Sequence, residues 1–406
     1  MRVRLLGVAF LAALLATAFA SAAPAAEKPP SFDARAWVLI DARTGQVLTG
    51  HAASKKLPIA SATKLMTAWV AMQELPLGKM VRAQPYEAGF GESLLERETG
   101  ELLSVRDLLY GLILRSGNDA AYDLAFAAAG SEERFVRQMN RRAAALGLAD
   151  SHYANPIGLD EQGNYSSARD LTALSRRLMK LSGFAKIAAS RTATLRSFDP
   201  PRRISTINEL LYMAPWVTGV KTGHTFGAGY VLVGSGRRKG VELISAVIGA
   251  PTDEARYAYN FDLLEYGFSQ YRRRVPVSAG EPLAEPSIRY SGGELPLRAE
   301  RTIAVGVRRG QRLELKVRAP DEVEGPIRRG AVLGRATVYV DGLRAAAVPL
   351  RTGRAIPEAS AFDRVRSFLG GHPIPIALAV FVILIGGVLL YRRMSRGTTE
   401  IREMTE

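Results

Sequence analysis

The sequence predicts an α+β fold in which an antiparallel sheet with an inserted helical block is followed by a small β-sandwich domain and one C-terminal transmembrane helix. Three observations support this prediction. Strand patterns near residues 36–49 and 217–248 flank a long stretch of helical periodicity, and a sheet backed by helices is the simplest arrangement of such segments. Short strand patterns separated by Gly, Pro and charged turns begin at about residue 271. Residues 373–391 form an uncharged, mostly apolar run.

Local patterns predict each element of the main domain, which is expected to extend over residues 31–270. Residues 36–40 and 46–49 predict a hairpin around a Gly-containing turn. Apolar positions at helical spacing predict a helix from Ser61 to about Leu75. Ser104 and Asp107 are spaced like a capping box, so a second helix is expected to begin there and to break at residues 115–118. The remaining predictions are helices over 119–129, 132–146 and 167–181, a loop over 155–160, strands over 217–222, 230–234 and 241–248, a loop over 223–229, and a closing helix over 252–266.

The second domain is predicted over residues 272–358. Its strand patterns lie at 301–307, 313–317 and 336–340, and they show no helical period. The segment carries seventeen Lys or Arg residues against ten Asp or Glu residues. Its surface is therefore either an ordinary solvated β surface or a contact surface for an anionic partner.

Composition excludes several classes of protein. The 406 residues include no cysteine, which excludes disulfides, thiol catalysis and zinc sites with Cys ligands. The four histidines are scattered and no HExxH motif occurs, so we expect neither a metal nor another cofactor. The formal net charge of +15 would ordinarily suggest nucleic acid as a partner. Predicted export makes nucleic acid an improbable partner, and anionic lipid or cell-wall polymer suits the positive charge better.

Both ends of the chain carry membrane-related signals. A basic lead, an apolar core over residues 5–19 and small residues up to Ala22 predict a signal peptide over residues 1–22 that is removed after export. The run over 373–391 is long enough to cross a bilayer core, and the arginines that follow it indicate the cytoplasmic side. We therefore predict a single-pass protein of the cell membrane with its body outside the cytoplasm, a juxtamembrane stem over 359–372 and a cytoplasmic tail over 392–406.

Three short motifs together indicate a serine nucleophile. Ser61-x-x-Lys64 lies at a predicted helix start, so both side chains leave the same helix face, and the helix N-terminus favours negative charge at Ser61. Ser116-x-Asn118 lies in the break between two apolar helices, and Lys221-Thr222-Gly223 ends a predicted strand. Each motif alone is weak, because residues as common as Ser and Lys produce chance matches, but the combination in this order is specific.

Each of these residue types has a chemical reason to be present. Ser61 must lose its proton as it attacks a carbonyl, and Lys64 is its candidate base. A free lysine is a poor base at a pKa near 10.4, so burial and a second cation such as Lys221 must lower the Lys64 pKa. Ser116 is expected to relay a proton to the leaving group, and Asn118 is expected to hold a substrate amide.

The strand that carries Lys221 is predicted to bind the substrate. Lys221 supplies a positive charge for a substrate carboxylate, Thr222 adds a hydroxyl donor, and an extended substrate can pair along this strand. Backbone N–H groups at Ser61 and just beyond Gly223 are candidates for an oxyanion hole. His224 follows the motif directly, and we expect it to line the site rather than to act as a base.

Other serine-enzyme designs are poorly supported. No GxSxG motif occurs, so the chain lacks the nucleophile turn of an α/β-hydrolase. A Ser-His-Asp triad would need His51, His152 or His224 as its base, and none of them has a supporting motif.

The three motifs together resemble those of the penicillin-binding proteins and serine β-lactamases. Finer detail resembles the low-molecular-mass D-alanyl-D-alanine carboxypeptidases, peptidase family S11, continuously from about residue 31 to 270. The segments that carry this finer likeness are Ser116-Gly117-Asn118-Asp119-Ala120, Asn155-Pro156-Ile157-Gly158-Leu159-Asp160, Tyr165-Ser166-Ser167-Ala168-Arg169-Asp170 and Gly219-Val220-Lys221-Thr222-Gly223-His224-Thr225.

The resemblance implies a β-lactamase-like transpeptidase fold with a β-sandwich stalk, and removal of the terminal D-alanine from peptidoglycan stem pentapeptides through an acyl-enzyme on Ser61. It also implies inhibition by β-lactam antibiotics, a second oxyanion donor at the N–H of His224, and a role for Arg256 near the substrate carboxylate. The apolar span departs from many relatives, which end in an amphipathic helix lying on the membrane. Two alternatives stay open: a β-lactamase, for which Glu161 is the candidate deacylating residue, and an inactive envelope scaffold of the same fold.

Overall fold

The structure is a computed structural model that describes residues 28–371 and 373–397. The predicted signal peptide and the end of the predicted tail, residues 398–406, lie outside the described residues. The chain divides into two compact units. The first unit holds the chain up to Arg273 together with Gly306–Arg309, and the second holds Arg274–Val305 and the chain from Gly310 onward.

The first unit is built on an antiparallel sheet of five strands: β1 (Ala36–Asp41), β2 (Val47–His51), β7 (Val217–Thr225), β8 (Gly229–Arg238) and β9 (Val241–Ala250). Their order across the sheet is β2-β1-β9-β8-β7, which places β7 at an edge. Successive side chains of a strand point to opposite faces. Val38 accordingly packs in the core shared with the helical block, and Leu39 packs in a second core on the other face.

Helices cover both faces of this sheet. The chain between β2 and β7 forms a 3₁₀ turn (Ala60–Thr63), α1 (Lys64–Glu74), α2 (Val105–Tyr110), a π-helical turn (Gly111–Arg115), α3 (Asn118–Ala129), α4 (Glu132–Leu146), α5 (Ala168–Leu178), α6 (Ser182–Ala188) and α7 (Leu210–Met213). Two small sheets in the same region consist of β3 (Met80–Arg82) with β4 (Leu102–Ser104) and β5 (Thr192–Leu195) with β6 (Arg202–Ser205). The closing helix α8 (Asp253–Ser269) packs Leu263 and Leu264 into the core on the opposite face.

The structure confirms most predicted elements of this unit and corrects one loop. The Ser104 hydroxyl accepts a hydrogen bond from the Asp107 N–H at 3.1 Å, as the capping pattern predicts. The prediction that a loop begins at residue 223 is wrong, because β7 continues to Thr225. It continues because β8 pairs with it to the end, with His224 opposite Tyr230. Residues 221–224 therefore lie in an extended edge strand.

The second unit is rich in β-structure. Two strands, β10 (Tyr271–Val277) and β14 (Ile303–Arg308), carry the chain across the unit boundary. A five-stranded antiparallel sheet of order β11-β13-β18-β17-β15 consists of β11 (Pro282–Ala284), β13 (Leu297–Ala299), β15 (Leu313–Arg318), β17 (Val332–Val340) and β18 (Leu343–Thr352). Two short parallel strands, β12 (Ser287–Ile288) and β16 (Glu322–Val323), accompany it. The prediction from sequence did not identify β18, although it is the longest strand of this sheet.

Two helices end the described chain, α9 (Ala361–Gly371) and α10 (Pro373–Gly397). Within residues 28–371 and 373–397, no helix combines the length and the apolar character that a membrane span requires.

Candidate active site

Ser61 and Lys64 touch, as their spacing predicts. Ser61 lies in the 3₁₀ turn that leads directly into α1, and Lys64 is the first residue of that helix. The Lys64 Nζ atom lies 3.0 Å from the Ser61 Oγ atom. Lys64 is completely buried, whereas Ser61 stays partly exposed and therefore accessible to a substrate.

Two carbonyl oxygens hold the Lys64 amine. Its Nζ atom donates to the Asn118 Oδ1 atom at 2.5 Å and to the Ile157 backbone oxygen at 2.5 Å. A neutral amine has two N–H bonds and one lone pair. With both N–H groups directed at these oxygens, the lone pair is left facing the Ser61 hydroxyl, which is the geometry a general base requires.

Burial lowers the pKa of Lys64 to near neutral pH. Loss of hydration lowers the pKa of Lys64 from 10.5 to about 7, while the carboxylates of Glu92 and Asp119 act in the opposite direction. A substantial fraction of Lys64 is therefore neutral near pH 7.

Ser116, Asn118 and Lys221 join the same cluster. Ser116 ends the π-helical turn in a left-handed conformation, with φ of 60°, and Asn118 is the first residue of α3. A non-glycine residue in this conformation is uncommon and is often found at functional sites. The Lys221 Nζ atom donates to Ser116 Oγ at 2.9 Å and to the Thr222 backbone oxygen at 2.7 Å. Burial lowers the pKa of Lys221 well below its ordinary value, and the neighbouring cations Lys64 and Arg256 lower it further.

The edge strand β7 approaches Ser61 closely because residue 223 is glycine. A Cβ atom there would lie 3.0 Å from the Ser61 backbone nitrogen. The exposed His224 follows, and its ring stacks on Tyr230 with centroids 4.2 Å apart. Arg256 is buried and donates to the Gly223 backbone oxygen at 2.9 Å. The structure thus brings together all nine residues predicted for the site: Ser61, Lys64, Ser116, Asn118, Lys221, Thr222, Gly223, His224 and Arg256.

The loop over residues 155–160 supplies a functional group that the sequence prediction missed, the carbonyl oxygen of Ile157. The Asn155 side chain organises this loop by accepting from the Gly158 N–H at 2.7 Å and donating to Glu161 at 2.8 Å. Gly158 has φ of +93° and packs against Ala60, immediately before Ser61. A backbone carbonyl that acts as an acceptor cannot be recognised from the side chain of its own residue. In the sequence, only the Pro and Gly residues of this loop indicated that the loop matters.

Gly158→Ala is expected to disturb the site more than the same substitution at Gly163, a glycine with a similar φ angle. A Cβ atom at position 158 would lie 2.1 Å from the Ala60 backbone oxygen, so the loop must move away from Ser61. We expect a loss of stability above about 2 kcal/mol and a clear loss of penicillin acylation. Gly163→Ala is the matched control, because Gly163 also has positive φ, +90°, but its nearest contact would lie at an ordinary 3.5 Å. Thermal melts and acylation rates of both variants test this, and equal effects would contradict it.

Glu92 is the second group that the prediction missed. It lies in the loop between β3 and β4, and its Oε2 atom accepts from Asn118 Nδ2 at 2.7 Å. Glu161, the candidate deacylating residue of the β-lactamase alternative, is exposed and accepts from Asn155. Among the described residues, no group of three or more His, Cys, Asp or Glu side chains is arranged to hold a metal ion.

The cluster as a whole has the chemistry of an acyl-transfer site. A serine hydroxyl faces an amine that titrates near neutral pH, and a second hydroxyl, on Ser116, contacts a second buried amine. The neighbouring strand β7 lies at the edge of its sheet, where an extended ligand can pair with a strand.

Comparison with known proteins identifies relatives across nearly the whole chain. The sequence matches the family described as D-alanyl-D-alanine carboxypeptidase, peptidase S11, over residues 23–252. It also matches the C-terminal domain family of penicillin-binding protein 5 over residues 271–358. It is 34% identical over 380 residues to the D-alanyl-D-alanine carboxypeptidase DacC of Escherichia coli K12, covering 89% of this chain and 94% of that protein.

Further relatives come from other bacteria. The chain is 32% identical over 320 residues to the D-alanyl-D-alanine carboxypeptidase DacF of Bacillus subtilis 168, covering 76% of this chain and 82% of that protein. Crystal structures of penicillin binding protein 5 from Haemophilus influenzae align with a TM-score of 0.57 at 28% identity, covering 82% of this chain and all of that one.

Proposed function

The chain belongs to the S11 family of D-alanyl-D-alanine carboxypeptidases, and from this membership we propose how its own residues carry out the reaction. The protein is a serine-type D-Ala-D-Ala carboxypeptidase and a penicillin-binding protein, and it acts in the processing of cell-wall peptidoglycan. Peptidoglycan peptides that end in D-Ala-D-Ala are its substrates, and we propose that these are stem pentapeptides, from which it removes the terminal D-alanine.

Acylation is proposed to begin at Ser61. Its Oγ atom attacks the carbonyl carbon of the bond between the two D-alanines, and neutral Lys64 takes the hydroxyl proton. The C–N bond breaks, and the departing amine receives a proton through Ser116, so free D-alanine leaves and an ester remains on Ser61. Water then attacks this ester, which releases the shortened peptide and restores the serine hydroxyl. Asn118 holds the amide of the residue before the cleaved bond.

The edge of β7 is proposed to align the substrate. The peptide extends along the strand, and its terminal carboxylate faces Lys221 and Thr222, with Arg256 supporting the strand from behind. A substrate carboxylate that binds there favours the charged form of Lys221. It therefore raises the Lys221 pKa and offsets part of the lowering that burial causes. The N–H groups of Ser61 and His224 are proposed to donate to the oxyanion.

The observation that carries this proposal is the position of the Lys64 amine, 3.0 Å from the Ser61 Oγ atom and in contact with two carbonyl oxygens, because in its neutral form the amine directs its lone pair at Ser61. The test is to incubate the protein with a fluorescent penicillin, digest it and identify the labelled peptide by mass spectrometry. We expect the label on the peptide that contains Ser61, together with D-alanine release from a peptide ending in D-Ala-D-Ala. A label on another residue would refute the assignment.

The same experiment discriminates the β-lactamase alternative. Rapid turnover of penicillin needs a carboxylate that activates a water at the ester, and Glu161 is instead hydrogen-bonded to Asn155. We expect the penicilloyl ester to persist for many minutes and the antibiotic not to be consumed in multiple turnovers. Turnover faster than D-alanine release would favour the β-lactamase.

From the uncharged apolar run in the sequence, we also propose that the protein is attached to the cell membrane by a single pass through residues 373–391, with the first unit exported and the β-rich unit serving as a sandwich-like stalk. The proposed span rests on the sequence alone, since no helix within residues 28–371 and 373–397 meets both requirements of a span. The predicted signal peptide supports export. In α10, Phe381, Ile383 and Leu384 are each more than 60% exposed. Exposed apolar surface of this kind is unfavourable in water and is stabilised by lipid.

A variant that ends at Glu358 is expected to be released in soluble form after export, because it lacks the apolar run. A matched variant that ends at Gly397 lacks only the last nine residues and is expected to stay with the membrane. Membrane fractionation followed by an alkaline wash measures both. Retention of the shorter variant in the washed membranes would show that another part of the chain holds it there.

A further inference from the structure

Glu92 lies one amide group away from the Lys64 amine. Its Oε2 atom accepts from Asn118 Nδ2 at 2.7 Å, and the Oδ1 atom of the same amide accepts from Lys64 Nζ at 2.5 Å. The resulting chain of contacts runs from Glu92 through Asn118 and Lys64 to Ser61, and its first member belongs to none of the sequence motifs.

The loop that carries Glu92 is fixed to α3, the helix that begins with Asn118. Asp119 accepts from the Leu95 N–H at 2.8 Å, and Asp123 accepts from the Gln84 N–H at 2.8 Å. Between these points the Asn118 N–H donates to the Ser93 backbone oxygen at 2.8 Å. The start of the loop and the segment that directly follows Glu92 are therefore attached to one helix, which fixes the position of the carboxylate.

Glu92 is held in its ionised form. Partial burial alone would raise its pKa, but hydrogen bonds from Asn118, Tyr86 and the Gly89 N–H, the last at 2.9 Å, hold the pKa of Glu92 below its ordinary value. The Tyr86 hydroxyl donates to the same oxygen as Asn118 does. The site thus contains a fixed negative charge at neutral pH.

This charge defines the orientation of the Asn118 amide. An ionised carboxylate only accepts hydrogen bonds, so the Asn118 NH₂ group must face Glu92 and its oxygen must face Lys64. Lys64 alone does not impose this orientation, because a neutral amine both donates and accepts. With Glu92 in place, the same orientation holds in both charge states of Lys64.

The same charge acts on Lys64. The charged groups that face the Lys64 amine are Glu92 from the loop, Asp119 from α3 and Lys221 from β7. The two carboxylates favour the protonated amine, and Glu92 has the larger effect of the two. Burial opposes them, so the charge state of Lys64 depends on Glu92.

We propose that Glu92 is a positioning residue of this enzyme, which fixes the Asn118 amide and balances the charge state of Lys64 so that the amine accepts and returns a proton near neutral pH. This inference rests on the proposed function, in which Lys64 is the general base. A purely structural role for Glu92 would be limited to holding its loop, and it would not alter how the rate depends on pH.

The test is the rate of acylation by a fluorescent penicillin, measured from about pH 5 to pH 9 on the full chain. The wild type is expected to lose activity on the acid side with a midpoint near the Lys64 pKa of about 7. Glu92→Gln removes the charge, so we expect this midpoint to move to lower pH by up to about one unit and the maximal rate to fall by about tenfold because Lys64 becomes a weaker base. Glu92→Asp keeps the charge, so its midpoint should stay near that of the wild type although its maximal rate falls.

Glu87→Gln is the matched control, since Glu87 is an exposed glutamate of the same loop. It should change neither the midpoint nor the maximal rate. Glu92→Ala also removes the charge and gives the same comparison if the glutamine variant does not fold. An unchanged midpoint in the charge-removing variants would overturn the inference, whereas absence of labelling in the wild type would overturn the proposed function itself.

Discussion

Ser61→Ala is expected to abolish penicillin labelling and to reduce D-alanine release by at least about 10⁴-fold, because removal of a serine nucleophile leaves only binding and oxyanion contacts to accelerate the reaction. The fold should be unaffected. Ser61 is partly exposed, and Lys64 keeps its two carbonyl partners when the hydroxyl is removed.

Three measurements test this prediction: the intensity of the penicillin label on a gel, the rate of D-alanine release, and the melting temperature. Ser182→Ala, at an exposed serine that begins α6, controls for the substitution itself and should match the wild type in all three. Wild-type release of D-alanine by the Ser61 variant would mean that another residue is the nucleophile.

The residues predicted from sequence are those whose side-chain types suggest a chemical role. Ser61 and Lys64 are three residues apart at a helix start, so their contact follows from helical geometry alone. Ser116 and Lys221 are 105 positions apart, and their contact at 2.9 Å depends on the complete fold. The combination of the three motifs, and the family resemblance that it supports, placed these two in one site before the structure did.

Two groups escaped prediction for different physical reasons. The Ile157 carbonyl acts through the backbone, and its direction depends on the conformation of Gly158, which no property of the Ile157 side chain reveals. Glu92 lies in a loop without periodicity, where an acidic residue is ordinarily a solvated one. Its role becomes visible only when Asp119 and Asp123 bring that loop to the start of α3.

Lys64→Met is expected to reduce acylation by about 10³-fold, because the serine keeps its hydroxyl but loses its general base. Methionine is similar in length and apolar, so it fits the buried site without carrying a charge. The variant should remain inactive at every pH, whereas the wild type recovers activity as pH rises through about 7.

The same variant should change how stability depends on pH. In the folded protein the pKa of Lys64 is lowered to about 7, while in the unfolded chain it stays near 10.5. Between these values the unfolded chain binds a proton that the folded protein has released, so the free energy of unfolding rises with pH across this window. Each pH unit of the window is equivalent to about 1.4 kcal/mol, which amounts to several kcal/mol in total.

Urea unfolding of the wild type and of Lys64→Met between about pH 7 and pH 10 measures this effect. The variant should show a shallower rise in unfolding free energy, and the remaining slope comes from Lys221, whose pKa burial also lowers. Lys186→Met, at an exposed lysine of α6, should keep the full wild-type slope. An equal slope in the wild type and the Lys64 variant would mean that Lys64 stays protonated when buried, and then it could not act as the base. Activity and stability are therefore expected to be opposed at this residue, because the burial that lowers the Lys64 pKa toward neutral, as the proposed base requires, also destabilises the folded protein.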